Sequence, residues 1–169
     1  LGGSGPLSSY VDSVVVWTGS WNLTVGDTYR LNNNAIRIVS PELARNYTLE
    51  FEQMFAQRRF GPAKQASLDD PVLTVGGVRV ENYFAPEDQV EQKIIGRLEQ
   101  ATVSIHFLAF SFTSDVIGKA MRAREKAGVQ LAGVFETTGS ETLFSEYGKF
   151  HKLKLDVLQL KYRNDDEAR

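Results

Sequence analysis

Cysteine is absent from the 169 residues. That excludes a disulfide framework, a thiol nucleophile and a thiolate metal site. Histidine is scarce, with only His106 and His151. Neither sign of charge is in excess: 19 Lys and Arg stand against 21 Asp and Glu, for a net charge of −2. The chain as a whole therefore exerts no pull towards nucleic acid or an anionic membrane, and any anion site must be local. No apolar run approaches the ~20 residues of a membrane span, and no secretory signal opens the chain. The expectation is a soluble chain of undetermined compartment. What is present is ordinary for a globular protein: 42% apolar and 24% charged residues, at a length that suits one compact domain.

The first ten residues are rich in Gly and Ser, have no apolar period, and read as linker or vector residue. Val14 to Trp17 is a β-branched and aromatic run that predicts a buried strand, and Ala35 to Val39 predicts a second, across an irregular loop from Leu23 to Asn34. Ser40-Pro41-Glu42 opens a helix, with Ser40 as N-cap and Pro41 at the first helical position. Leu43, Tyr47, Phe51, Met54 and Phe55 recur at helical spacing and predict its core face. Gly76-Gly77 between two β-branched runs signals a hairpin. Val90, Ile94, Leu98 and Ala101 mark one face of a further helix. Then come a strand from Val103 to Phe110, a helix capped by Thr113 or Ser114 and stopped by Gly128, and a strand from Val129 to Phe135. Short connections of this kind predict a right-handed parallel crossover. A helix is expected from Ser140 to Phe150 and a strand from Leu155 to Leu160, with a frayed tail from Asn164.

One segment carries a pattern with chemical content. Asp12 is followed, after six residues, by Gly19-Ser20-Trp21-Asn22, and the next strand is entered through Asn32-Asn33-Asn34-Ala35. An asparagine amide donates hydrogen bonds without carrying a titrating charge, and a serine hydroxyl can donate beside it. Such groups suit the oxygens of a phosphate. Equally, Ser20 and Asn22 are residue types that brace a turn after a strand.

This spacing resembles the second half of the phospholipase D superfamily signature, H-x-K-x4-D-x6-G-S-x-N. The resemblance continues downstream through Tyr83-Phe84-Ala85-Pro86-Glu87-Asp88, the strand Ser104 to Thr113, and Gly128-Val129 leading to Gly133-Val134-Phe135-Glu136. The order is unusual. Residues 11–58 resemble the end of one repeat, 59–71 a linker, and 72–163 the start of the next, so that 11–169 would form a single domain of apparently permuted order. The resemblance implies an α/β fold, with a mixed, largely parallel β-sheet and helices on both faces. It also implies hydrolysis of a phosphodiester, in phospholipid or nucleic acid, through a phosphohistidine and without metal or cofactor. Ser20 and Asn22 would contact the phosphate, Asp12 would support the motif, and Asn33 occupies a slot where many relatives carry a Glu that orients the histidine. For Asn33 a purely local turn role is an equal alternative.

The signature's histidine and lysine slots fall on Gly5 and Leu7, so the nucleophile half is missing. The resemblance implies that self-association or a complementary repeat would supply it; otherwise the chain is a catalytically degenerate binding or assembly module. His106 alternates with Ile105 and Phe107 and is expected to be a core histidine. His151 has Leu153 in the lysine slot and is expected at a helix end. Glu136 ends an apolar strand and is a candidate substrate-binding residue, the alternative being an exposed strand-end charge. Lys119, Arg122, Arg124 and Lys126 read as a solvated basic helix face with Glu125 interleaved, nucleic-acid contact being the lesser alternative.

Overall fold

The structure, a computed structural model, describes residues 14–160. The expected linker at 1–10, Asp12, the Gly5 and Leu7 slots and the tail beyond residue 160 lie outside the described residues. The chain is α/β in class. Its strands form three separate small sheets, two of them antiparallel pairs and one a three-stranded parallel sheet. It divides into two compact units, residues 1–90 and 91–169.

In the first unit, β1 (Val15–Gly19) pairs antiparallel with β2 (Ala35–Val39), and the connection holds a short helix, α1 (Val25–Tyr29), where an irregular loop was expected. Thr24 caps that helix by accepting from the Asp27 N–H. The long helix α2 (Pro41–Phe55) starts as the sequence predicts, the Ser40 hydroxyl accepting from the Leu43 N–H. A 3-10 turn (Gly61–Ala63) and the hairpin β3 (Val72–Val75) and β4 (Val78–Glu81) follow. Gly76 and Gly77 both have positive φ at the hairpin tip, as a two-residue turn requires. Val16, Leu43, Ala44 and Leu73 form the small apolar core.

The expected core face of α2 is only half right. Leu43 is buried and Tyr47 packs edge-on against Phe84, but Phe51 and Phe55 are exposed and stack on one another with centroids 5.0 Å apart. The buried stripe runs instead through Asn46, Glu50 and Gln53. These polar groups are satisfied by the segment expected to be a mere linker. Asn46 donates to the Asp70 carbonyl at 2.9 Å, and Gln53 donates to the Gln65 carbonyl at 2.9 Å and accepts from the Gln65 N–H at 2.8 Å. Helical period identifies a face but cannot tell that hydrogen bonds will bury a polar one.

Glu50 belongs to a buried triad. Lys64 Nζ pairs with Glu50 Oε1 and lies 3.2 Å from Glu87 Oε1, and the three side chains are 5–8% exposed. Burial raises the Glu50 carboxyl above the ordinary carboxylate range, and the neighbouring Glu87 carboxylate adds to the rise against the opposing pull of Lys64. A raised carboxyl binds its proton more tightly folded than unfolded. Its contribution is therefore full below the unfolded value of about 4.3 and is lost as pH rises through the folded one. Urea unfolding of the parent chain should lose stability over that rise relative to Glu50→Gln; a parent and variant with parallel pH profiles would contradict this.

In the second unit, α3 (Val90–Glu99) precedes β5 (Ser104–Ala109), α4 (Asp115–Lys126), β6 (Gln130–Glu136), α5 (Thr137–Ser140), α6 (Tyr147–Lys152) and β7 (Asp156–Leu160). The strands are parallel in the order β5-β6-β7. Two right-handed crossovers taken in the same direction put both connecting helices on one face. That face holds a single cluster: Ile105, Leu131, Phe135 and Val157 from the strands, Met121 from α4 and Phe150 from α6, with Leu98 of α3 packed against it. Gly133 leaves room for the Phe107 ring, which a Cβ there would overlap. No helix of the second unit covers the opposite face, so within this unit helices lie on one face where both were expected to be covered. His106 is accordingly exposed on that face rather than in the core. A short apolar strand reads the same whether one face or two are covered, and the error follows from that.

The expected helix from Ser140 to Phe150 is broken into α5 and α6. Glu146, between them, is fully buried, with its N–H donating to the Phe112 carbonyl at 2.9 Å. Its carboxylate pairs with Arg122 and with Lys149 at 2.6 Å, and Lys149 also pairs with Asp115. Gly118 has no Cβ to collide with that carboxylate. Removing one partner of a buried pair costs about 3–5 kcal/mol, because the other charge is stranded. Glu146→Ala should destabilise the second unit on that scale in denaturant unfolding, and a loss below about 1 kcal/mol would show that water reaches Arg122 freely.

Candidate functional site

The candidate residues of the first unit fall in the connection between β1 and β2. Gly19 ends β1 where the chain passes against Asn34, and a Cβ at Gly19 would overlap the Asn34 carbonyl. That carbonyl accepts from the N–H groups of Ser20 at 3.0 Å and Trp21 at 3.3 Å. Close backbone approach is thus why glycine stands at the head of Gly19-Ser20-Trp21-Asn22. The Ser20 hydroxyl is held between the two strands: it donates to Asn33 Oδ1 and accepts from the Asn34 N–H, both at 3.0 Å.

Both asparagine amides then converge on one acceptor. Asn22 Nδ2 donates to Asp27 Oδ1 at 3.0 Å, and Asn33 Nδ2 donates to the same oxygen at 2.9 Å. Thr24 Oγ1 bonds the other carboxylate oxygen. Ser20, Asn33, Asp27 and Asn22 therefore form a continuous chain of hydrogen bonds, with Ser20 and Asn22 exposed and Asn33 half-buried. The side-chain bonds from Thr24 and Asn22, with that from Asn33, hold the Asp27 carboxyl below its ordinary range. Chemically, the loop presents uncharged donors to an oxygen anion, and the anion in place is the chain's own.

Asp27 was missed from sequence. The one available signal was Thr24 three residues before it, a capping pattern for a helix too short to show a period. The other candidates belong to the second unit. Glu136 ends β6, and its carboxylate caps α5 by accepting from the Gly139 N–H at 2.7 Å. His151 lies in α6 with its ring 5.6 Å from that of Tyr147. The basic face of α4 is not uniformly solvated: Arg122 turns to Glu146, and Arg124 donates twice to the Ala101 carbonyl. No group of three or more His, Asp or Glu side chains among the described residues is placed to hold a metal ion. No helix among them is long and apolar enough to cross a membrane.

No protein-family model matches this chain, and no curated protein sequence matches it.

The lowered Asp27 carboxyl sets a pH dependence of opposite sign to that of Glu50. Its contribution is present above the unfolded value of about 3.9 and disappears as pH falls through the lower folded value. The side-chain amide resonances of Asn22 and Asn33 should hold constant down to about that unfolded value and shift together below it. In Asp27→Ala they should sit at the shifted position at every pH. Independent behaviour of the two amides would show that no common acceptor joins them.

Proposed function

We propose that the β1–β2 connection is the phosphate-contacting half of a phospholipase D-like phosphodiesterase site. The observation that carries this reading is the convergence of Asn22 and Asn33 on a single anionic oxygen, with Ser20 tied to Asn33. A non-bridging phosphate oxygen is the same kind of acceptor as Asp27 Oδ1. It would take over the two amide donors if the Asp27 side chain turned away, leaving Thr24 as that carboxylate's partner. In the reaction the resemblance implies, a histidine nitrogen bonds to phosphorus as the bond to the leaving oxygen breaks. A second histidine protonates that oxygen and then activates water to release the phosphohistidine. Asn22, Asn33 and Ser20 would offset the charge gathering on the phosphate oxygens and supply neither nucleophile nor acid. The His-x-Lys half would come from a complementary repeat, and the substrate class would be phospholipid or nucleic acid.

A second reading is favoured by the same bonds. Asp27 already consumes the amide donors, as it would in a degenerate module kept for binding or assembly. The purified chain alone should leave bis(4-nitrophenyl) phosphate intact. Supplying a polypeptide with His-x-Lys should produce turnover, and Asn22→Ala should then lower it by about 10²–10³-fold. Turnover by the chain alone would overturn the assignment of a missing nucleophile. Inertness in both settings would select the degenerate module.

A further inference from the structure

The uncovered face of the β5-β6-β7 sheet has a pattern of its own, independent of the β1–β2 connection. Strand register sorts its side chains into rows. His106, Ala132 and Asp156 lie side by side, then Leu108, Val134 and Leu158, then Glu136 and Leu160 on β6 and β7. The large apolar groups are open: Leu108 is 86% exposed, Leu158 57%, Leu160 55%, and Phe110 just past β5 70%. His106 and Asp156 are exposed as well. Parallel sheets are stable when both faces are covered, and an open apolar face of this kind marks an interaction surface.

We infer that this face packs against the same face of a second copy of the chain, about a two-fold axis running along β6. The polar match between His106 and Asp156 selects the occupant and the axis, since an imidazole N–H can donate to a carboxylate. With the axis along β6, the β5 strand of one copy lies over β7 of the other. His106 then meets Asp156 of the second copy twice over, at the two edges of the interface. Leu108 meets Leu158, Phe110 meets Leu160, and Val134 meets itself on the axis. A two-fold axis across the strands would instead bury His106 against Phe110 and Asp156 against Leu160, leaving both polar groups unpartnered in apolar surroundings. Glu136 does not oppose the arrangement, because its carboxylate is turned to the start of α5. Two sheets packed in this aligned way sit about 10 Å apart, within the reach of these side chains. The contact is isologous and closes at two copies.

Sedimentation equilibrium of the full chain tests this. The parent should be a dimer, and Leu108→Lys should be monomeric with an unchanged circular dichroism spectrum. Should Leu108→Lys fail to fold, Leu158→Lys on the other edge replaces it. His106→Asp places like charges together and should weaken the dimer by at least about tenfold. The exchanged variant, His106→Asp with Asp156→His, should restore it. A monomeric parent overturns the proposal, as does a dimer indifferent to Leu108→Lys. A dimer that His106→Asp leaves unchanged, or that the exchange fails to restore, overturns the axis along β6 and with it the inference.

Discussion

A carboxylate taken out of water must be met by charge or by hydrogen-bond donors, and that constraint organises each part of this chain. Glu50 fixes the second half of α2 against residues 64–70 through Lys64. Glu146 breaks what would be one helix into two and gathers Arg122 and Lys149 around it. Asp27, nearer the surface, performs the same service for the connection between β1 and β2, where Thr24, Asn22 and Asn33 close on it. The apolar clusters are small by comparison, four buried residues in one unit and seven in the other. Polar satisfaction decides where the connecting segments go.

The functional reading turns on how that constraint is met at Asp27. Donors that solvate a carboxylate are donors that can solvate a phosphate, so a phosphate-contacting loop without bound phosphate and a self-satisfied structural loop share one geometry. The distinction lies in whether the carboxylate gives way. Asp27 is only half-buried and sits in the first turn of a short helix that contributes no buried residue to the core, which makes the rearrangement local.

Legibility from sequence followed the physics of each signal. Local backbone chemistry was readable: Ser40 as a cap, Gly76-Gly77 as a hairpin tip, Ser114 as a second cap and Gly128, with φ of 91°, as a helix stop. Strand positions were readable from β-branched runs. What failed depended on partners distant in sequence. The polar stripe of α2 is buried only because residues 64–70 fold back onto it. The open face behind His106 exists only because β5, β6 and β7 step in one direction. Within the candidate site, the motif singled out Ser20, Asn22 and Asn33 but not the bond between Ser20 and Asn33, and Asp27 had no signal beyond a cap.

The matching of strand order to chain order in β5-β6-β7 also bears on how the second unit is made. Each new strand docks beside the one completed just before it, with its helix already formed between them, so no segment waits for a distant partner. Each parallel pairing must still close the loop that holds its connecting helix, as Ser104 with Gln130 and Ala132 with Asp156, and that closure is the slow step. During synthesis on the ribosome the unit can nonetheless grow by one helix and strand at a time, each addition extending an edge that is already in place.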